Sequence, residues 1–153
     1  MLISSIFLFH YLPIFYFVKK EFKELKKYFF ITFPIFLISI YYFNYSNNFT
    51  GGGIIFKVSN IILSNNYLFY LLSFIGLLTI CHLSYKNFNN LLLIILIFLN
   101  NPQLEVYHKY YEPMLLILFF TLFNLNFKRF FFKRGILILY LFNSLFLVLN
   151  LLR

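Results

Sequence analysis

The residues best suited to chemistry lie close together in one polar segment, 100–113. Within ten positions this segment holds amide, acidic, basic and aromatic side chains: Gln103, Glu105, Tyr107, His108, Lys109, Tyr110, Tyr111 and Glu112. Aromatic rings can stack on sugar rings, a lysine can pair with a phosphate, and a carboxylate with a histidine can move protons. The set therefore fits a phosphorylated or glycosylated lipid substrate, and these residues are candidate substrate contacts.

The same segment also has a structural interpretation, which stays open. Tyrosine is expected as an anchor at the boundary of a bilayer, and Lys109 can simply extend its charge toward water. In favour of binding, Glu105 and Glu112 are two of only four acidic residues in the chain. The other two, Glu21 and Glu24, lie among lysines at a spacing typical of helical ion pairs.

A second polar segment carries the glycine run 51–53, which Lys57 follows. The run lacks the spacing of a nucleotide-binding loop, and no strand precedes it, so we do not expect a nucleotide there. Successive glycines permit a tight or left-handed turn at which backbone amides approach a ligand, or they form a flexible connection, which we favour. We predict that Lys57 lies on the same side of the molecule as segment 100–113.

The composition indicates which elements must position these residues. The chain is 62% hydrophobic and 25% aromatic but only 11% charged, whereas a soluble domain carries roughly 25% charged residues. We therefore predict an all-α fold, a polytopic transmembrane helix bundle of about six membrane segments forming a single domain over 1–153. The formal charge of +9 does not indicate nucleic-acid binding, because the basic residues lie between apolar segments rather than along one face.

Six apolar segments are the predicted spans: 2–18, 28–43, 67–83, 91–99, 114–125 and 135–152. Pro34 falls inside the second, where a membrane helix tolerates a kink. The segments 91–99 and 114–125 are short, so they are either two spans lengthened by polar residues or a re-entrant pair. We favour two spans, because the distribution of charge then obeys a simple rule.

Basic residues fall mainly in alternate connections. With six spans and the N-terminus outside, ten lie on the inner side and only Lys57, Lys109 and Arg153 on the outer side; the ten are Lys19, Lys20, Lys23, Lys26, Lys27, Lys86, Lys128, Arg129, Lys133 and Arg134. Loops on the cytoplasmic side of a membrane are enriched in this way. We therefore predict an integral membrane protein, of a bacterial inner membrane, with connections 44–66 and 100–113 facing outward.

Other kinds of chemistry find no support in the sequence. His10 and His82 have no second histidine, cysteine or acid at ligand spacing, so we expect no metal and no cofactor. Cys81 is the only cysteine and can form no internal disulfide. A permease or an ion-translocating subunit would need paired or serial charges within the membrane, which are lacking.

Two segments carry a resemblance to a known family. Segments 51–60 (Gly-Gly-Gly-Ile-Ile-Phe-Lys-Val-Ser-Asn) and 101–113 (Asn-Pro-Gln-Leu-Glu-Val-Tyr-His-Lys-Tyr-Tyr-Glu-Pro) resemble stretches near the C-terminus of multispan proteins of AT-rich marine bacteria. Those proteins in turn resemble membrane glycosyltransferases of the GT-C type. The resemblance implies transfer of a sugar from a polyprenyl-phosphate donor at the outer face of the membrane.

The resemblance also implies roles for individual residues, and in one respect the chain departs from the pattern of the family. Lys57 and Lys109 would contact phosphate, while Glu105, His108 and the tyrosines would line the sugar site. Such enzymes place an essential acid in their first outer loop, but connection 44–66 contains no Asp or Glu. The chain is then expected to be the C-terminal part of a longer enzyme, or not to be catalytic.

Two functional hypotheses follow from the sequence. The first is a glycosyltransferase-like protein acting on polyprenyl-phosphate-linked sugars at the extracytoplasmic face. The alternative is a small non-catalytic polytopic protein, or a subunit of a larger membrane complex. The expected partners are the lipid bilayer, a lipid-linked sugar and other membrane proteins, without nucleic acid.

Overall fold

The described part of the fold is built from helices. The computed structural model describes residues 1–15, 17–18, 25–45, 51–99, 106, 111–127 and 131–151. Within these ranges there is no strand, and only Val18 and Phe127 form an isolated antiparallel bridge. The helices are α1 (Leu2–Phe15), α2 (Leu25–Tyr41), α3 (Gly53–Leu63), α4 (Tyr67–Lys86), α5 (Phe88–Leu99), α6 (Glu112–Thr121) and α7 (Phe131–Leu151). The prediction of an all-α fold is confirmed.

Six of these helices fall on the six predicted apolar segments, and α3 is an addition. The sequence analysis treated 44–66 as one polar connection, whereas the structure has a helix over its second half. This helix buries Ile55, Phe56 and Ser59 on one face, and the three positions lie within about one helical turn of each other. The aliphatic residues between the glycines and Ser64 were the signal for this helix.

Helix length alone does not establish six membrane crossings. Among the described residues, one helix is long and apolar enough to cross a bilayer, at Tyr67–Tyr85 within α4. The other apolar helices that were found have 10 to 17 residues, and a crossing takes about 20. The bundle of six crossing helices therefore stays a prediction.

Helix α1 is the centre of the structure. It contacts α3, α4, α6 and α7, and buried residues lie on all its sides. A helix that is apolar all round belongs in an interior. The hydroxyls of Ser4 and Ser5 donate hydrogen bonds of 2.7 Å and 2.8 Å to the carbonyls of Met1 and Leu2, so these serines are buried without losing a hydrogen-bond partner.

The closest approach of two helices is between α1 and α4. A Cβ atom added to Gly76 would lie 2.2 Å from the carbonyl oxygen of Ser4 and 2.8 Å from its carbonyl carbon. Only glycine fits at this crossing, since any side chain would push the two backbones apart. Small residues at helix crossings are typical of packing within membranes, where close contact of backbones supplies the attraction.

Helices α2 and α4 run antiparallel and are held together by aromatic rings. Tyr28 near the start of α2 packs on Tyr85 near the end of α4, with ring centroids 5.4 Å apart. Further along, Phe36 meets Phe74 at 4.8 Å, and beyond the end of α2 Phe43 meets Tyr70 at 5.9 Å. The bundle therefore has two distinct ends, one near Tyr85 and one near Phe43.

We call the end near Tyr85 the basic end; its described markers are Val18, Lys27, Asn90, Asn124 and Phe127. The side chain of Asn90 accepts a 2.9 Å hydrogen bond from the Asn124 amide and donates one of 3.2 Å to the Leu83 carbonyl. It thereby joins the end of α4, the start of α5 and the residues after α6. We call the other end the glycine end; its described markers are Phe43, Tyr45, Gly51, Gly52, Val106 and Tyr111.

We predict that Gly76→Ala lowers the free energy of unfolding by roughly 1–3 kcal/mol, as overpacking of a dense core does. The reason is the 2.2 Å separation between the new Cβ and the Ser4 carbonyl oxygen. Thermal unfolding of the purified chain in detergent, followed by circular dichroism, measures the change. Leu71→Ala in the same helix is the control, because Leu71 is 58% exposed; equal loss in the two variants would contradict the tight crossing.

Candidate functional site

The structure brings the glycine run together with Val106, a described residue of the polar segment 100–113, at the glycine end. The amide of Gly52 donates a 2.7 Å hydrogen bond to the carbonyl of Val106. This bond joins the start of α3 to the connection between α5 and α6. The two segments that the sequence analysis singled out are therefore neighbours in space, although 53 residues separate Gly52 from Val106 in the chain.

Glycine is required both at the donor of this bond, Gly52, and at the residue before it, Gly51. A Cβ atom at Gly51 would lie 2.6 Å from the Tyr45 hydroxyl and 2.8 Å from the Val106 carbonyl oxygen. Gly52 has φ +94°, a left-handed conformation that other residues adopt at a cost. Gly53, at φ +77°, then begins α3. The glycine run therefore forms a tight turn and not the flexible connection that the sequence favoured, and its Gly52 amide bonds to the Val106 carbonyl.

A cluster of aromatic side chains packs against this turn. The ring of Tyr45 packs edge-on against Phe56 at a centroid distance of 5.4 Å, and Phe56 packs on Phe69 at 5.2 Å. Phe43 closes the group against Phe69, also at 5.2 Å. These contacts tie the residues after α2 to α3 and α4, so the glycine turn lies on a packed base.

An open cleft of about 350 Å³ lies beside the turn, within the usual volume range of small-molecule sites. Its walls come from the start of α1, the end of α2, the end of α5 and segment 100–113. Most of the lining is apolar, and polar groups come from the side chains of Ser39, Tyr42, Asn44 and Tyr45. The lining residues are Met1, Leu2, Ile3, Ser39, Tyr42, Phe43, Asn44, Tyr45, Phe98 and Val106.

The predicted site residues differ in their positions and in their exposure. Lys57 lies in α3 directly after the buried Phe56 and is partly exposed. Tyr111 is 1% exposed and belongs to the hydrophobic core, so its ring packs inside the bundle. Glu112 begins α6. The remaining predicted contacts lie outside the described residues: Gln103, Glu105, Tyr107, His108, Lys109 and Tyr110.

The residues that shape the cleft were not among the predicted site residues. Tyr42, Phe43, Asn44 and Tyr45 were assigned to the end of a span and the start of a loop, and Phe98 to a short apolar segment. The run of aromatic and amide residues just after α2 was the available signal, since such residues are common where an apolar wall meets polar ligand groups. Val106 gave no signal, because its role rests on its backbone carbonyl.

His10, His82 and Cys81 lie apart from this site. His10 is 2% exposed in α1 next to the ring of Phe9, and His82 packs against Tyr28 near the basic end. Cys81 is a free thiol in α4. Among the described residues, no group of three or more His, Cys, Asp or Glu side chains could hold a metal ion.

Comparison with known proteins adds no relative. No family model matches the chain, and neither does any curated protein or solved structure. The resemblance to GT-C-type enzymes therefore rests on segments 51–60 and 101–113 alone.

We predict that Gly51→Ala weakens the bond between Gly52 and Val106, because the added methyl group would contact Tyr45 and the Val106 carbonyl at less than 3 Å. Hydrogen–deuterium exchange measures the protection of the Gly52 amide, which should fall. The double variant Gly51→Ala with Tyr45→Phe removes the clash with the hydroxyl and should recover part of the protection. Wild-type protection in Gly51→Ala would show that the turn is not constrained as described.

Proposed function

We propose that the chain is an integral membrane protein and that its glycine end binds a polyprenyl-phosphate-linked sugar, at the outer face of a bacterial inner membrane. The activity that fits is glycosyl transfer of the GT-C type. The observation that carries the proposal is the Gly52–Val106 hydrogen bond beside the apolar cleft. It supports the proposal because Val106, within segment 100–113, lines a cleft whose mostly apolar walls suit a hydrocarbon chain.

The outward faces of α2 and α7 support placement in a bilayer. Both helices expose large apolar side chains, among them Phe30, Ile38, Ile136, Leu137 and Leu141, each at least 59% exposed. Transfer of such a side chain from water to an apolar environment is favourable by about 1.5–3 kcal/mol. A soluble monomer rarely exposes large contiguous apolar patches. These faces are therefore suited to contact with lipid.

The short helices can be reconciled with a membrane. Helix α5 has 12 residues and is about 18 Å long at 1.5 Å per residue, against about 30 Å for the hydrocarbon core. Irregular backbone is tolerated at membrane depth where protein covers it. Val106 and Tyr111, which lie between α5 and α6, are 9% and 1% exposed, so the connection is covered at these two residues.

The charge distribution supports the orientation that we propose. Lys27 lies at the basic end, where its amine is 2.6 Å from the Tyr85 hydroxyl. The ten basic residues predicted to face inward belong to connections that meet this end, whereas Lys57 belongs to α3 next to the glycine end. With the positive side inward, the cleft and segment 100–113 open to the outer side, where lipid-linked sugars are used in the enzymes that the chain resembles.

The chemistry assigns one role to each kind of side chain. Lys57 and Lys109 pair with the phosphate, since a phosphate oxygen accepts strong hydrogen bonds from an ammonium group. In this proposal Glu105 and His108 transfer a proton at the acceptor hydroxyl, and Tyr107 and the neighbouring Tyr110 provide rings for the sugar. The hydrocarbon chain of the ligand lies in the cleft.

A second candidate is a non-catalytic subunit of a membrane complex. The observation that favours it is the lack of Asp and Glu in 44–66, where enzymes of the resembled type carry an essential acid. In that case the exposed faces of α2 and α7 would contact other proteins. Purification in mild detergent discriminates the two candidates, because a subunit co-purifies with a large assembly.

We predict that Lys109→Ala weakens binding of undecaprenyl phosphate to the full chain about tenfold or more, since a hydrogen bond to a charged group contributes roughly 1.5–3 kcal/mol. Glu105→Ala should leave this binding unchanged and reduce sugar transfer. Native mass spectrometry in detergent measures the bound lipid, and a transfer assay in proteoliposomes with lipid-linked sugar donors measures the activity.

The control for Lys109→Ala is Lys86→Ala, which removes the same charge at the end of α4, near the basic end. Equal weakening by both variants would mean that undecaprenyl phosphate is attracted by net charge only. Unchanged binding in Lys109→Ala would remove this lysine from the site.

A further inference from the structure

Helix α3 has both of its ends at the glycine end of the bundle. Its first residue follows Gly52, whose amide is bonded to the Val106 carbonyl. Toward its other end, the Ser59 hydroxyl donates a 2.8 Å hydrogen bond to the Asn65 carbonyl and accepts one of 3.2 Å from the Phe69 amide, in the first turn of α4. Helix α3 therefore lies across the glycine end instead of leading away from it.

Two faces of α3 differ in their exposure. The covered face packs on α1 and α4 and holds residues that are at most 8% exposed: Ile55, Phe56 and Ser59. The outer face holds three aliphatic residues that are 36%, 79% and 67% exposed: Val58, Ile61 and Ile62. Positions i, i+3 and i+4 share one stripe of a helix, so the outer face is a single aliphatic surface.

A third face of α3 is polar. Lys57 and Asn60 lie one turn apart and are half-buried, and Ser64 at the end of the helix is exposed. At 3.6 residues per turn, the centres of the three faces lie roughly 120° apart around the helix. Such a helix fits a place where protein, water and hydrocarbon meet. Helices that lie in the surface plane of a membrane have a polar stripe and an apolar stripe of this kind.

The aliphatic face of α3 adjoins the outward surface of α4. Among the described residues, the helix that is long and apolar enough to cross a bilayer is the one at Tyr67–Tyr85 within α4. Its outward stripe consists of Tyr67, Leu71 and Ile75, which are 74%, 58% and 39% exposed. Tyr67 follows the end of α3 by four positions, and tyrosine is common at the boundary of the hydrocarbon core. The medium that surrounds α4 therefore extends to α3.

We propose that α3 lies in the outer surface plane of the membrane, with Ile61 and Ile62 in the hydrocarbon of the outer leaflet and Lys57 at the level of the phospholipid phosphates. The partner is the lipid surface, and its charge matches the polar face, because phosphate attracts an ammonium group. The inference rests on the membrane placement proposed above and not on the transferase activity. Anchored in this way, α3 holds the glycine turn and the cleft at the depth of the lipid headgroups.

Tryptophan fluorescence tests the inference, because the chain contains no tryptophan and an introduced one is the sole reporter. The variants are Ile61→Trp and Ser64→Trp of the full chain, in nanodiscs of phosphatidylethanolamine and phosphatidylglycerol. For Ile61→Trp we expect blue-shifted emission, strong quenching by lipids brominated on their acyl chains, and weak quenching by iodide. For Ser64→Trp, only three positions further along, we expect the reverse.

Leu71→Trp in α4 is the reference for the membrane placement and should be quenched by the brominated lipids. If it is not, the membrane placement fails and this inference fails with it. If it is quenched but Ile61→Trp responds to iodide instead, the aliphatic face contacts water and only the inference about α3 is wrong. Shielding of Ile61→Trp from both quenchers would assign the face to a protein partner or a second copy, which also overturns it.

A second variant tests the anchoring role. Ile61→Ala with Ile62→Ala should accelerate hydrogen–deuterium exchange of the α3 amides in nanodiscs by about tenfold or more, since apolar contact with lipid is lost. Alanine favours a helix more than isoleucine does, so helix propensity cannot cause the acceleration.

The matched control is Ile136→Ala with Leu137→Ala, which shortens two side chains of α7 that are 61% and 63% exposed. It should leave exchange in α3 unchanged. Wild-type exchange in Ile61→Ala with Ile62→Ala, or equal acceleration in the control, would overturn the anchoring role.

Discussion

The contact between α1 and α4 at Ser4 and Gly76 is the constraint on which the rest of the bundle depends. It lets the two backbones approach closely, and α1 also contacts α3, α6 and α7. Helix α1 is therefore the common neighbour of four helices. Both ends of the bundle are organised around this one buried helix.

Each end is then closed by a small number of polar bonds rather than by apolar packing alone. At the glycine end the Gly52–Val106 bond joins two connections beside an open cleft. At the basic end the side chain of Asn90 and the bridge between Val18 and Phe127 join connections that carry most of the positive charge. The two ends thus differ in charge and in shape, which is what a protein needs if it meets different ligands on the two sides of a membrane.

The sequence predicted the helical class and the positions of six helices, because long apolar runs between polar clusters leave few alternatives. It did not predict α3, whose apolar face is short and follows three glycines. Nor could it predict the partner of Gly52. The Val106 carbonyl is a backbone group of a kind that every residue has, and only its position in the fold distinguishes it. The burial of Tyr111 was likewise not predictable: a residue type suited to a ligand is 1% exposed in the core. Tertiary contacts, which composition does not reveal, decide both cases.

The central claim is that the glycine end and the basic end lie on opposite sides of a membrane. Single cysteines at Asn44 and Arg134, both exposed, introduced after Cys81→Ser, test it most directly in intact cells with a membrane-impermeant thiol reagent. The account predicts labelling of Asn44→Cys from outside and labelling of Arg134→Cys only after the membrane is opened. Equal labelling of both positions in intact cells would contradict it.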